Sequence, residues 1–334
     1  MSGMDHRRHP SALELAAGAL LASTVVLHVV AMFPNYFAGD SPQSIASQAD
    51  QVALYGVVAG VWALALGFGL SSPARVRAAA GIAIGAAAAE AGFRLSDLGE
   101  VFRYGTSQAG AGMWLMVAAW FVGAAGAIVA AIAVRRSTRA GHAPAGVPAE
   151  RPPVPRAAAV VGVAVLSLAT AGLFLPAWDH YEGASTVTGR GFSFNLGDAF
   201  ALPWQVVTGN VLSAVAIALV PILAALWIWR DRHLSAGATA GVLGMLAAQF
   251  VAAVAQVDQA VPPSIAGISP AQANQLGLTI GLKLTGWFLG DVLLAFALFT
   301  LTMALATARP VQENSAAALA SAPDARSAAT SAWS

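Results

Sequence analysis

The sequence predicts an all-α membrane protein of eight transmembrane helices, arranged as two tandem four-helix bundles. Three observations carry that expectation. The chain is 57% hydrophobic and only 10% charged over 334 residues, with a mean hydropathy of +0.69. A soluble domain has about 25% charged residues, and so few charges could not cover a water-facing surface of this size. Apolar runs long enough to cross a hydrocarbon core, which takes about 20 residues, recur near 12–33, 52–70, 78–98, 111–134, 157–176, 205–229, 237–257 and 280–306. Finally, the basic residues alternate in density between successive connections.

That alternation sets the expected orientation, because short cytoplasmic connections collect Lys and Arg. Arg7 and Arg8 precede the first run, Arg75 and Arg77 lie between the second and third, and Arg230 and Arg232 between the sixth and seventh. Arg135, Arg136, Arg139, Arg151 and Arg156 fall in the central linker, and Arg309 and Arg326 in the tail. Together these are 13 of the 17 basic residues, leaving Arg94, Arg103, Arg190 and Lys283 elsewhere. Eight spans with both termini cytoplasmic, in a bacterial cytoplasmic membrane, fit that split. The first run, Ser11 to Phe33, exceeds the 7–15 apolar residues of a signal peptide and reads as an uncleaved span.

The division expected is a cytoplasmic N-terminus at 1–11, a first four-helix unit at 12–134, a cytoplasmic linker at 135–156, a second unit at 157–306 and a disordered tail at 307–334. The linker is rich in Pro, Ala and Gly without apolar periodicity, and the tail is Ala/Ser-rich. The third run is the least regular, because charges enter its second half.

The halves echo each other. Met32-Phe33-Pro34-Asn35-Tyr36 closes the first run and Phe174-Leu175-Pro176-Ala177-Trp178 the fifth. Trp120-Phe121-Val122-Gly123 lies in the fourth run and Trp287-Phe288-Leu289-Gly290 in the eighth. An even number of spans per half would place the copies in the same orientation, related by an axis along the membrane normal. Leu175-Pro176-Ala177-Trp178, a Gly-rich connection, Asp198-Ala199-Phe200 and a Gly-Trp-led last helix resemble a group of uncharacterised bacterial four-helix membrane proteins, here as a tandem pair. The second half fits this likeness better than the first, and the resemblance implies a topology without an activity.

Candidate chemistry concentrates in the third run. At about 100° per residue, Glu90, Arg94 and Asp97 share one helix face. Counting about 1.5 Å per residue from Ala78 puts Glu90 about 18 Å in, near mid-bilayer. An unpaired charge at that depth costs about 2.5–3.5 kcal/mol. The face is therefore expected either to pair as a structural lock or to line a ligand or ion pathway, with His28 of the first run at similar depth. In the second half Gln249, Gln256 and Asp258 stand at the corresponding stretch, so the charges there look replaced by amides.

Asp291 lies inside the last run with no cation four residues away, and is expected to face the bundle interior, near Glu90 or as the neutral acid. Lys283, the one lysine of the chain, is expected to begin the last helix and snorkel to the interface. A lone lysine in a final helix is also the pattern of retinal-binding rhodopsins, but Lys283 sits at the helix end and the spans number eight. Asp179-His180-Tyr181-Glu182 carries metal-capable side chains but reads as solvated loop polarity, and Asp40 and Asp50 stand ten residues apart without a companion motif.

No Gly-x-Ser-x-Gly, His-Glu-x-x-His or Gly-x-x-x-x-Gly-Lys pattern occurs, and there is no cysteine. No cofactor, metal or nucleic acid is expected. The reading is a protein that binds a lipid or a protein partner within the membrane. The alternatives are a small transporter or channel built on the charged face of the third helix, and a membrane-embedded enzyme. A transporter should show a wet path to Glu90, whereas a packing role should show that face dry.

Overall fold

A computed structural model describes residues 11–38, 43–71, 73–139, 155–175, 178–194, 207–257, 261, 263 and 268–307. Among these the chain runs α1 (Ala12–Ala31), β1 (Asn35–Phe37), β2 (Gln43–Ser44), α2 (Ala49–Ser71), α3 (Pro73–Tyr104), α4 (Ala111–Arg139) and α5 (Arg156–Leu173). It continues through β3 (Asp179–Ser185), β4 (Gly191–Phe194), α6 (Val207–Trp227), α7 (Arg232–Val257), α8 (Pro270–Gln275), β5 (Leu278–Leu284) and α9 (Gly286–Thr307). Seven helices (α1 to α5, α7 and α9) are long and apolar enough to cross a membrane, and the apolar part of α6, Val211–Trp227, is shorter. That is the make-up of a multi-pass membrane protein. The sixth expected span, 205–229, thus has a described apolar stretch below the usual crossing length, and residues 205 and 206 lie outside the described set.

Helix α1 starts on a capping box: the Ser11 Oγ accepts from the Glu14 amide, and the Glu14 carboxylate accepts from the Ser11 amide at 2.7 Å. Helix α3 is continuous over 32 residues despite its charges. Arg135, Arg136 and Arg139, expected in the linker, extend α4 instead, because nothing in Val134 to Arg139 breaks the helix. Residues 140–154, and with them His142 and Arg151, lie outside the described residues, as do Arg7, Arg8, Asp40, Asp198, Asp258, Arg309 and Arg326.

In the first half α1 packs on α2 and α4, and α3 on α2 and α4; in the second, α5 packs on α6 and α9, and α7 on α6 and α9. The most extensive helix pair joins the halves, α3 against α7, flanked by α3–α6 and α2–α7 contacts. Glycines make that pairing possible. A Cβ on Gly81 would collide with the Leu234 carbonyl oxygen and one on Gly85 with that of Ala238. A Cβ on Gly237 would meet the Ala78 carbonyl and one on Gly241 that of Ile82. Each glycine thus meets the carbonyl three residues before the facing glycine, in both directions, so α3 and α7 run parallel about a local two-fold axis. Apolar side chains gain little by leaving lipid for one another, so close backbone approach at small-xxx-small pairs supplies the packing.

Arg77 Nη1 lies 3.7 Å from the Asp231 carboxylate, which brings the α2–α3 and α6–α7 connections to one end of the bundle. The strands gather at the opposite end. There β1 pairs with β2, and β4-β3-β5 form an antiparallel sheet in which His180 faces Lys283. Lys283 therefore belongs to a strand, and α9 begins three residues later at Gly286. Leu278, Ile280, Leu282 and Leu284 alternate with Thr279, Gly281 and Lys283 in a period-2 pattern that runs on directly into the apolar α9. The echo of Trp120 and Trp287 also dissolves. Trp287 follows the first residue of α9, whereas Trp120 sits deep in α4 and donates to the Ala87 carbonyl at 3.0 Å.

Candidate functional site

The third helix presents Glu90, Arg94 and Asp97 on one face toward α1 and α2, as the 3.6-residue period requires, and three aromatic side chains complete the cluster. Glu90, Arg94 and His28 are wholly buried. Glu90 Oε1 lies 2.8 Å from His28 Nε2, and Glu90 Oε2 accepts from the Trp62 indole at 2.9 Å. Arg94 Nε stands 3.2 Å from Glu90 Oε1, close enough for ion pairing but misaligned for a hydrogen bond. Arg94 Nη1 donates to Asp97 Oδ2 at 2.8 Å and to the Tyr36 hydroxyl at 3.0 Å. Tyr36 in turn donates to Asp97 at 2.5 Å, Tyr55 donates to Tyr36 at 3.3 Å, and the guanidinium lies over the Tyr55 ring, 5.2 Å from its centroid. Burial pushes the Tyr36 hydroxyl well above its usual range, so it stays protonated and donates to Asp97.

Proton positions follow from the partners. His28 Nδ1 lies 2.8 Å from the Thr24 carbonyl, which only accepts, so Nδ1 carries a hydrogen. The 2.8 Å contact from Nε2 to Glu90 then requires one more proton, held between imidazole and carboxyl. Two carboxyl groups face one guanidinium here, and that shared proton brings the cluster to neutrality. Neutrality is what a site with three fully buried members demands, because an unbalanced charge in a low-dielectric core is penalised by several kcal/mol, on the order of the effective cost per ion. Only Asp97 reaches toward the surface, its side chain 20% exposed. Arg94 Nη2 has no hydrogen-bond acceptor.

Of the five residues singled out from sequence, four meet here. Asp291 does not join them. It is buried in α9, which packs on α5 and α7, and neither carboxyl oxygen has a hydrogen-bond partner. Tyr36, Tyr55 and Trp62 join the cluster from other elements and are not singled out as site residues by the sequence. Their one signal is that each carries a polar tip on an otherwise apolar stretch, which a buried site would have to satisfy. The amides expected as counterparts of the charged face do something else. Gln256 donates to Asp50 of α2 at 3.2 Å, and Gln249 is half-buried.

The glycine register of α3 and α7, carried along both helices, makes Leu246 the counterpart of Glu90 and Phe250 that of Arg94. Both replacements are apolar. Phe250 belongs to a four-ring box with Phe174, Trp178 and Phe288: the Trp178 centroid lies 5.4 Å from Phe174, 5.1 Å from Phe250 and 5.7 Å from Phe288. Trp178 and Tyr36 make similar backbone bonds. The Tyr36 carbonyl accepts from Gly110, just before α4, and the Trp178 carbonyl accepts from Thr285, just before α9.

In the strand region His180 Nε2 and Glu182 Oε1 are 3.2 Å apart, and no group of three or more His, Asp or Glu side chains suited to a metal occurs among the described residues. Comparison of the chain with known protein families, with curated proteins and with solved structures finds no match to any of them.

Proposed function

We propose that this protein is an internally duplicated, eight-span membrane protein that binds a lipid or protein partner within the bilayer. In this reading the His28–Glu90–Arg94–Asp97 cluster is a closed lock on the first unit rather than a passage. The observation that carries it is the dryness of the cluster: His28, Glu90 and Arg94 have no exposed surface, and both Glu90 oxygens are engaged. Support for duplication comes from the reciprocal glycine contacts of α3 and α7 and from the matched Tyr36 and Trp178 backbone bonds. Both favour two units in the same orientation, and the split of basic residues in the sequence favours cytoplasmic termini and a cytoplasmic connection between α4 and α5. A cysteine-free chain suits the test. Single cysteines placed at Ala89 and at Leu95 should differ in reaction with a water-soluble maleimide, the buried one staying silent. Native mass spectrometry from nanodiscs should retain lipid or protein mass, and proteoliposomes should pass no protons above the lipid baseline. Proton flux abolished by Glu90→Gln would sink the reading.

One observation favours the alternative of a small transporter using the same face. Asp97 is partly exposed beside Arg94, whose Nη2 lacks an acceptor, so the guanidinium has spare capacity for an anionic group arriving from that end. Salt-dependent protection of a cysteine at Ser96 by a small carboxylate would separate this reading from the lock.

A further inference from the structure

We propose that Asp291 is a proton-binding site, a neutral carboxylic acid sealed in the core of the second unit and independent of the charge cluster in the first. Asp291 lies five residues into α9, about 7.5 Å along its axis. It belongs to the buried stripe Phe288, Asp291, Ala295, Leu298 and Thr302, which faces α5 and α7. The residue is wholly buried, and neither carboxyl oxygen has a hydrogen bond or a cation.

Among the described residues no charged group pairs with it. α9 carries no other acid or base, α5 has only Arg156, and α7 has Arg232 and His233. Those three lie at the helix starts, whereas α9 runs the opposite way and Asp291 is near its own start. Contacts between Gly290 and Leu173, and between Gly162 and Leu301, fix this antiparallel pairing. The His180–Lys283 pair of the sheet places the chain's one lysine in the β3–β5 ladder, ahead of α9.

The surroundings suit a neutral acid. One turn toward the strand end, Phe288 joins Phe174, Trp178 and Phe250 in the four-ring box, which closes that side. On the buried face of α5 lie Ser167, whose hydroxyl has no partner, and Thr170, whose hydroxyl hydrogen is committed to the Leu166 carbonyl at 2.9 Å. A bare carboxylate in such a place costs several kcal/mol more than its protonated form, on the order of the penalty for a charge at the centre of a bilayer. The proton is therefore the ligand that the site takes.

Lipophilic carbodiimides distinguish such an acid. The carboxyl proton passes to a carbodiimide nitrogen while the carboxyl oxygen adds to the central carbon. The acyl group then migrates to nitrogen, leaving a stable N-acylurea and releasing nothing. The full-length protein in nanodiscs should form this adduct with dicyclohexylcarbodiimide, and peptide mapping should place it on Asp291. A charged, water-soluble carbodiimide should label Asp291 at least tenfold less. Glu90, whose oxygens are held by His28 and Trp62, should stay unmodified. The infrared spectrum should show a protonated-carboxyl carbonyl band that is lost in both Asp291→Asn and Asp291→Leu. The wild-type mapping stands even if a variant misfolds. Absence of the adduct from folded wild-type protein would overturn the proposal, and so would equal labelling by the water-soluble reagent. Protection by sodium or lithium ions at constant pH would overturn it in favour of a cation site.

Discussion

The strand-side core around α2 and α3 is held by charges and hydroxyls, and that around α5, α7 and α9 by four aromatic rings. Arg94 lies over Tyr55 and bonds Tyr36 and Asp97; Phe250 and Trp178 meet ring to ring at 5.1 Å. The first lies where α1 ends and α4 begins, the second where α5 ends and α9 begins. They differ in how they fail. A charged core depends on every member being present, since removing one strands the others. An aromatic core loses only the area and volume of the ring that is removed.

The largest expected effect breaks the charged side of this comparison. Arg94→Ala leaves Glu90 and Asp97 without their cation, and should cost about 3–5 kcal/mol as read by unfolding in detergent. Replacing Arg94 with Leu and Glu90 with Gln together should recover much of that loss. Strictly additive losses in the double-mutant cycle would show that the pair is not coupled. The aromatic side should behave otherwise. Phe250→Ala should cost about 3 kcal/mol, in the range for buried Phe→Ala. Phe250→Leu should cost under about 1.5 kcal/mol as a more conservative hydrophobic swap, and no second substitution should restore Phe250→Ala. A rescue comparable to that of Arg94 would erase the distinction drawn here.

The seam between the halves comes next. Gly85→Ala pushes a methyl group into the Ala238 backbone, which cannot move away as a side chain would. The expected cost is about 1–3 kcal/mol, together with earlier proteolysis of the joined halves. Gly60→Ala, on a helix position with open space around it, serves as the control and should be neutral or slightly stabilising. Equal effects at the two positions would remove the glycine seam from the account. The smallest effect expected is that of Tyr36→Phe, which deletes one hydroxyl shared by Arg94, Asp97 and Tyr55. It should lower stability by about 1–2 kcal/mol and leave the ring packing intact. A loss as large as that of Arg94→Ala would mean that Tyr36, not Arg94, organises the cluster.

Much of this was legible in the residues and some was not. The spacing of Glu90, Arg94 and Asp97 is a one-helix property, and helical periodicity alone puts them on a common face. His28 could be matched to them by depth, because two spans that start from the same side reach mid-bilayer at comparable counts. The partners Trp62, Tyr36 and Tyr55 lie on other elements, and no spacing rule reaches across elements. Depth alone matches the charges to Gln249, Gln256 and Asp258, because depth carries no register between two helices. The glycine contacts supply that register and point to Leu246 and Phe250 instead. The strand that holds Lys283 is not legible in the sequence, because an apolar strand and the start of an apolar helix look alike until the partner strand is known.

By itself the sequence determined that this chain belongs in a membrane, where its apolar runs lie, and that Glu90 and Asp291 would have to be buried or paired. Those are consequences of composition and helical period, which act within a single segment. Only the tertiary structure decided that Glu90 finds His28 and Trp62 while Asp291 finds no partner. The reason is that α3 packs by its glycines against α7 and turns its charged face to α1 and α2, whereas α9 packs chiefly on the apolar and hydroxyl-bearing faces of α5 and α7. Which helix an acid meets depends on backbone approach distances, and those are set by the helices together.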